Sequence, residues 1–151
     1  MAVSPPRERP FVQFNFLVDI GNGTTGAAAG FQEVSGLVSE LTVSEYRPGN
    51  YKFNNTQMIT GMNKSGPAVL KRGIIGAADL FLWLNDIRNG NQNARRTVRI
   101  QLLSEDRTTT VLTWTLLEAR ITKHTSGPLN AKGTDVAMEE MTLHFERLEV
   151  E

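Results

Sequence analysis

The sequence of 151 residues contains no cysteine. A disulfide framework and a zinc site with thiolate ligands are therefore excluded. It also lacks an excess of charge of either sign, because 16 Lys and Arg balance 16 Asp and Glu and give a formal net charge of +0. A nucleic-acid module normally carries a basic excess, so we expect no sequence-specific nucleic-acid binding. Near-zero net charge also does little to oppose self-association.

Long apolar runs are missing too. No run approaches the roughly 18 apolar residues that indicate a membrane helix, so we expect no membrane span. The first ten residues, MAVSPPRERP, contain three prolines and three charges and no apolar core of a signal peptide. We predict a flexible N-terminal arm over residues 1–10 and one domain over residues 11–151.

Signatures of catalysis and of cofactor binding are also absent. The two histidines, His124 and His144, belong to no carboxylate-containing ligand motif, and we predict that His144 faces away from the core. No GxSxG nucleophile motif occurs. The glycine-rich stretch at 21–26 lacks the Lys-Ser/Thr of a phosphate loop and opens no helix, so it is interpreted as a hairpin turn. We expect no enzymatic activity, no metal and no cofactor.

One segment, residues 70–90, has the pattern of a helix. Its apolar positions recur with helical spacing and form one stripe: Ala77, Leu80, Phe81, Leu84 and Ile87. Asp79 in the first turn and Arg88 in the last favour the helix dipole, and Gly90 follows as a C-terminal cap. We predict a helix over about residues 77–89, with the stripe in the core.

The rest of the chain alternates with the period of two that is typical of strands. We predict strands at 11–20, 29–34, 37–47, 68–74, 97–103, 111–119 with a continuation through 121–125, and 136–150. In the first strand Phe14, Phe16 and Val18 share one face. In the last, the alternation breaks at Glu139 and Glu140, which predicts a bulge. The fold class is mainly β, a small β-barrel or sandwich of about seven strands with one flanking helix.

Residues 47–65 are too polar and too rich in Asn and Gly for a core strand. We interpret them as a long projecting loop or irregular hairpin. Loops beyond roughly 12–15 residues in a compact domain are usually functional or disordered, and apolar side chains in such a loop indicate docking. The alternative is a loop that folds over the core of its own subunit. The candidate subunit-interface residues are Arg47, Tyr51, Phe53, Met58, Ile59 and Met62.

Three blocks together resemble a known family. They are FNFLVDI followed by AGFQEVSGL, then LKRGI with the helix segment LFLWLNDI, and finally SGPLNAKGTDVAMEEMTLHFERLE. Their order and spacing resemble those of the inner tail-tube proteins of contractile phage tails and of phage-tail-like contractile injection systems. The resemblance runs from about Phe11 to Leu148. The family is also similar to the secreted ring protein of type VI secretion.

The resemblance implies a structural subunit that forms stacked hexameric rings. The rings make a hollow tube that sheath contraction propels, delivering cargo or DNA. The implied partners are other copies of the chain, a surrounding sheath protein, baseplate or spike proteins, terminator proteins and protein cargo in the lumen. Assembly in the bacterial cytoplasm would be followed by incorporation into a virion or an injection particle. The resemblance leaves open whether the chain is the main tube subunit or a tube-initiating paralogue.

The strand pattern is compatible with this role. Exposed sheet edges must be paired or hidden. Contacts between copies in a ring would cover these edges, and end-to-end contacts between rings would then build a filament. Candidate stacking faces are the turn at 21–30 and the loop at 126–135. Two other functions stay open: a monomeric β-barrel that binds a small ligand in its interior, and an enzyme on a barrel scaffold, for which the sequence offers no cluster of titratable groups.

Overall fold

The computed structural model describes residues 6–21, 30–76 and 78–151, and these residues form nine strands and one helix. The strands are β1 Phe16–Asp19, β2 Glu33–Ser35, β3 Ser39–Tyr46, β4 Gln57–Ser65, β5 Ala68–Gly73, β6 Arg96–Leu103, β7 Thr110–Ser126, β8 Met138–His144 and β9 Arg147–Val150. The helix, α1, spans Asp79–Arg88. The fold is mainly β with one helix, which confirms the predicted class.

Some predictions fall on residues outside the described part of the chain. They concern residues 1–5 of the N-terminal arm, residues 22–29 of the glycine-rich turn and second strand, and Ala77 of the helix stripe. In the described part of the N-terminal segment, Arg7 Nη2 lies 2.6 Å from Glu105 Oε1. Its guanidinium also lies 3.6 Å from the centre of the Phe11 ring. Residues 6–11 therefore lie beside the turn that joins β6 to β7.

Seven strands form one antiparallel sheet in the order β1-β6-β7-β8-β5-β2, with β9 also paired to β7. β7 belongs to both halves of this sheet: its residues 110–119 pair with β6, and its residues 120–126 pair with β8. Near the end of the first part Glu118 adopts a φ of 55°, which is uncommon for a non-glycine residue. No hydrogen-bonded pair joins β1 to β2 within the described ranges. The two halves instead contribute side chains to one core.

The core forms because strand register aligns apolar positions. Leu70 of β5 lies opposite Met141 of β8, and Leu143 of β8 lies opposite Ile121 of β7. Cross-strand partners share a face of the sheet, so these rows point inward together. The buried cluster includes Val18, Ile20, Ala68, Leu70, Leu80, Trp83, Val98, Ile100, Leu116, Ala119, Ile121, Met141 and Leu143.

The helix lies close to its predicted bounds, but the predicted stripe is wrong at Phe81, whose side chain is 44% exposed. Leu80 and Trp83 are the buried residues, and Leu84 and Ile87 pack partly buried against the core. Trp83 Nε1 donates a hydrogen bond to the carbonyl of Ala94 at 2.6 Å. Burial of the larger indole surface therefore rotates Phe81 outward. No helix in the described residues is long and apolar enough to cross a membrane.

Two strand predictions also need correction. The first strand is short, and Phe14, predicted to share its inner face, precedes β1 and is 68% exposed. The last strand has no bulge at Glu139–Glu140. It is interrupted after His144, and the register shift lies in β7 between Ile121 and Lys123. The alternation broke at Glu139 because a charged residue occupies an inward-facing position.

Candidate functional site: a projecting hairpin

β3 and β4 form a two-stranded sheet of their own, separate from the seven-stranded sheet. Glu40 pairs with Lys64 near its base, and Tyr46 pairs with Gln57 near its tip. The predicted loop over residues 47–65 is therefore wrong in its second half, because Gln57–Ser65 is a strand. The alternative of an irregular hairpin describes it correctly, since the register shifts between Leu41 and Val43.

The connection at the tip is held by Arg47, one of the predicted interface residues. Its Nε and Nη2 donate hydrogen bonds to the carbonyl oxygen of Phe53 at 3.2 and 3.1 Å, and Nη2 also reaches the carbonyl of Tyr51 at 3.3 Å. The rings of Tyr51 and Phe53 meet edge to face with centroids 5.9 Å apart. Arg47 therefore shapes the tip, and Phe53 is presented outward at its surface.

Both faces of the hairpin expose large apolar side chains. Because cross-strand partners share a face, the register places Leu41, Val43 and Met58 on one side and Tyr46, Ile59 and Met62 on the other. All six are more than half exposed, and Met62 reaches 79%. This explains why the sequence of β4 shows no alternation of polar and apolar residues: neither side is covered by the core of its own subunit.

The hairpin projects from the body, which it contacts chiefly where β4 passes β9. A single two-stranded hairpin is marginally stable in water. Contiguous exposed apolar surface marks interaction sites, and unpaired strand edges are templates for pairing with another chain. The hairpin is therefore an arm with two exposed apolar faces and unpaired strand edges.

Two glycines occupy the roots of the arm, where a side chain would not fit. Gly36, before β3, has a φ of 80°, and a Cβ there would lie 2.2 Å from the carbonyl oxygen of Pro67. Gly66, after β4, has a φ of 75°, and a Cβ there would lie 2.9 Å from the Phe145 ring. Any other residue at either root position would combine backbone strain with a steric clash.

A buried ionic cluster, which the sequence analysis missed, anchors the body beneath α1. Arg72 Nε donates to Glu139 Oε1 at 2.5 Å, and Arg72 Nη2 donates to Asp79 Oδ1 at 2.5 Å. The bonds join β5, β8 and the first turn of α1. A signal was present: Arg72 continues the inward series of Ala68 and Leu70, so its charge requires an inward-facing carboxylate.

His124 completes this cluster, with Nε2 3.1 Å from Glu139 Oε2 and its ring packed edge-on against Phe81. Burial disfavours the charge of Arg72, but its hydrogen bonds to Asp79 and Glu139 outweigh burial and raise the pKa of the guanidinium. His144, predicted to face outward, is exposed and lies 2.8 Å from the hydroxyl of Thr122. The cluster thus consists of mutually satisfied charges that fix the helix to the sheet.

The molecule thus consists of a seven-stranded sheet with one helix and a projecting hairpin that exposes apolar side chains on both faces. The comparison with known families is specific: the chain belongs to the T4-like virus tail tube protein gp19 family, whose model matches residues 12–149. It is therefore a tube protein of a contractile tail or contractile injection system. The family resemblance predicted from the three sequence blocks is confirmed.

Solved structures agree with this assignment. A chain of the PVC sheath–tube complex, an extracellular contractile injection system in the extended state, is 30% identical with a TM-score of 0.83 over 95% of this chain and 93% of that chain. A chain of the six-fold symmetrised anti-feeding prophage baseplate is 27% identical, with a TM-score of 0.78 over 96% and 97%. Hcp1 from Flavobacterium johnsoniae, 12% identical with a TM-score of 0.54 over 91% and 94%, shares the fold. Among curated proteins no sequence matches this chain.

Proposed function

We propose that this chain assembles into hexameric rings that stack into the inner tube of a contractile injection system, and that the hairpin β3–β4 is the arm that joins each subunit to its neighbours. The observation that carries the proposal is the hairpin itself, whose two apolar faces are both exposed in a member of the tube family. Tyr51, Phe53, Met58, Ile59 and Met62 are the proposed contact residues, and Arg47 supports the tip.

The sheet supplies a second argument for ring formation. β2 pairs only with β5, and β1 pairs only with β6, among the strands that the structure describes. Both strands therefore offer backbone donors and acceptors along one side. Contacts from such an edge to a different surface of the next copy are heterologous, and they close into a ring when the rotation between copies allows it. Six copies are proposed by analogy with the six-fold symmetrised baseplate that contains a similar chain.

Further partners follow from the same proposal. The solved structure of the PVC complex contains sheath and tube, and a PVC terminator structure includes a chain 30% identical to this one. We propose that this chain likewise contacts a sheath on its outside and baseplate or terminator proteins at the tube ends, carries protein cargo in the lumen, and assembles in the bacterial cytoplasm. Its action is mechanical and involves no catalysis.

The direct test measures assembly. Light scattering after size exclusion should show a mass well above 16.7 kDa at high protein concentration, and negative-stain microscopy should show rings or tubes. If the purified chain alone forms only rings, addition of sheath and baseplate partners should promote tube growth. A strictly monomeric species at all concentrations and salts, with no tubes even when partners are supplied, would refute the proposal and favour a monomeric ligand-binding protein.

A further inference from the structure

A second exposed surface lies at the opposite end of the sheet from the hairpin. Two adjoining grooves of about 460 and 390 Å³ share Pro128 and Met138 in their walls. We call them together the end groove. Its apolar part is formed by Pro128, Val136 and Met138, and Val136 is 74% exposed. Its walls come from the connection between β7 and β8, which overlaps the predicted stacking face at 126–135, and from Glu33 of β2 and Lys71 of β5.

The register of β5 and β8 shows that the root of the hairpin and the end groove lie at opposite ends of β5. Ala68, two residues after the root glycine Gly66, pairs with Leu143, whereas Gly73 at the far end of β5 pairs with Met138. The six residues of β5 span roughly 20 Å at about 3.3 Å each. No residue of the hairpin lines the groove of its own subunit, and a copy placed end to end would bring a second hairpin to it.

The chemistry of the two surfaces is complementary. The tip, residues 46–57, contains Arg47 and Lys52 and no Asp or Glu. Lys52 is exposed and makes no ion pair with any residue in the described ranges, and the neighbouring Phe53 is 64% exposed. Four carboxylates line the end groove. Glu139 is paired with Arg72, and Glu33 and Glu140 lie beside Lys71, whereas Asp135 is exposed and makes no ion pair with any described residue. An apolar tip with an unpaired lysine thus matches an apolar groove with an unpaired aspartate.

We propose that the end groove receives the hairpin tip of a second copy of this chain, with Phe53 against Pro128, Val136 and Met138, and Lys52 beside Asp135. The inference rests on the proposed function and deepens it by naming both sides of the contact between stacked rings. Because the two surfaces differ and lie at opposite ends, the contact is heterologous and does not close on itself. It repeats along the axis and produces a filament.

Zero-length carbodiimide cross-linking of the wild-type protein tests the contact directly. This reagent joins a lysine amine to a carboxylate that it touches. Tubes should yield a cross-linked peptide pair containing Lys52 and Asp135, and the monomer fraction should not, because the two side chains lie at opposite ends of one subunit. Tubes that give other cross-links between subunits but no product between the tip and Glu33, Asp135 or Glu140 would overturn the inference.

A charge exchange provides the second test. Lys52→Glu alone and Asp135→Lys alone should each shorten tubes at least tenfold, and the double variant should restore the length to within twofold of wild type. Lys132→Glu, in the same loop but outside the groove lining, is the control and should leave the length unchanged. Single variants with tubes of normal length, or a double variant no better than the singles, would overturn the inference.

Different results would refute tube assembly as a whole and the contact between hairpin tip and end groove alone. Wild-type protein that never forms rings or tubes refutes the proposed function and this inference together. Normal tubes whose growth ignores Lys52 and Asp135 refute only the contact. If the cross-link at Asp135 appears only to added sheath or baseplate protein, the groove receives a different partner and the inference of a second copy is wrong.

Discussion

The helix and the hairpin contain the same kinds of apolar side chain but use them differently. In α1, Leu80 and Trp83 are almost completely buried and hold the helix on the sheet. In the hairpin, Val43 and Ile59 are exposed on opposite faces. Hydrophobic burial stabilises whichever state removes the surface from water. The helix therefore stabilises the subunit, and we propose that the hairpin stabilises the assembly.

The largest effect should come from removing apolar contact at the arm. The double variant Phe53→Ser with Ile59→Ser should form no tubes yet keep its circular dichroism spectrum and melting temperature, because neither side chain contributes to the core. The measurement compares melting temperature with filament length by microscopy. Asn54→Ser with Thr60→Ser, at nearby exposed positions, is the matched control and should assemble normally. Full-length tubes from the apolar double variant would show that the arm is dispensable.

In the body, the largest effect should come from breaking the ionic cluster. Arg72→Ala leaves Glu139 and Asp79 without their guanidinium partner, and removal of one member of a buried ion pair costs about 3–5 kcal/mol of unfolding free energy. Urea denaturation measures the loss. The adjacent Lys71 lies on the outer face, 3.8 Å from Glu33 and 4.0 Å from Glu140. Lys71→Ala should cost about 1 kcal/mol or less, and equal losses for the two variants would contradict a buried structural role for Arg72.

A smaller effect should separate the two sides of the helix. Leu84→Ala removes a side chain that packs partly buried on the core, so the loss should lie near the lower end of the range for leucine truncation, about 2 kcal/mol. Leu82 lies on the outer side of the helix and is 60% exposed. Leu82→Ala should therefore change the unfolding free energy by about 0.5 kcal/mol or less. If Leu84→Ala kept full stability but abolished assembly, the helix face would be an interface.

The smallest effect concerns the β6–β7 turn. Hydrogen bonds lower the pKa of Asp106 below its usual range. The bond from the Ser104 hydroxyl has the largest effect, and those from the backbone amides of Thr108 and Thr109 come next. A depressed folded-state pKa contributes stability above the unfolded carboxylate's pKa, which is lost as the pH falls through the folded value. Carboxyl NMR should show Asp106 ionised at pH values where free aspartate is protonated. Ser104→Ala should raise that pKa and Ser126→Ala should not; an unchanged value in Ser104→Ala would contradict this account.

Sequence reasoning succeeded where one local pattern has one structural meaning. The spacing of Leu80, Leu84 and Ile87 together with Gly90 predicted the helix, and Gly90 does adopt a positive φ of 95° after its last turn. The alternation over residues 97–103 and 111–119 predicted β6 and the first part of β7 in the same way. The family followed from the order of three sequence blocks, and the family model confirms it over residues 12–149.

Sequence reasoning failed where side-chain placement depends on distant partners. The sequence predicts a loop at β4 because neither face of the strand packs on the core, so polar and apolar residues do not alternate along it. Glu139 was interpreted as a bulge because its partner, Arg72, is 67 positions away in sequence. Phe81 was placed in the core because its spacing fits the apolar stripe. The spacing cannot show that Trp83, whose indole is buried and bonded to Ala94, takes the inward position instead.

The sequence by itself therefore determined the class of the fold, the position of its helix and the family, since these depend on local periodicity and on the order of blocks along the chain. Only the tertiary structure decided that residues 39–65 leave the body as a two-faced arm and that the end groove lies at the opposite end of β5. Both are relations between segments far apart in sequence, and they arise from strand register and from the two root glycines, Gly36 and Gly66.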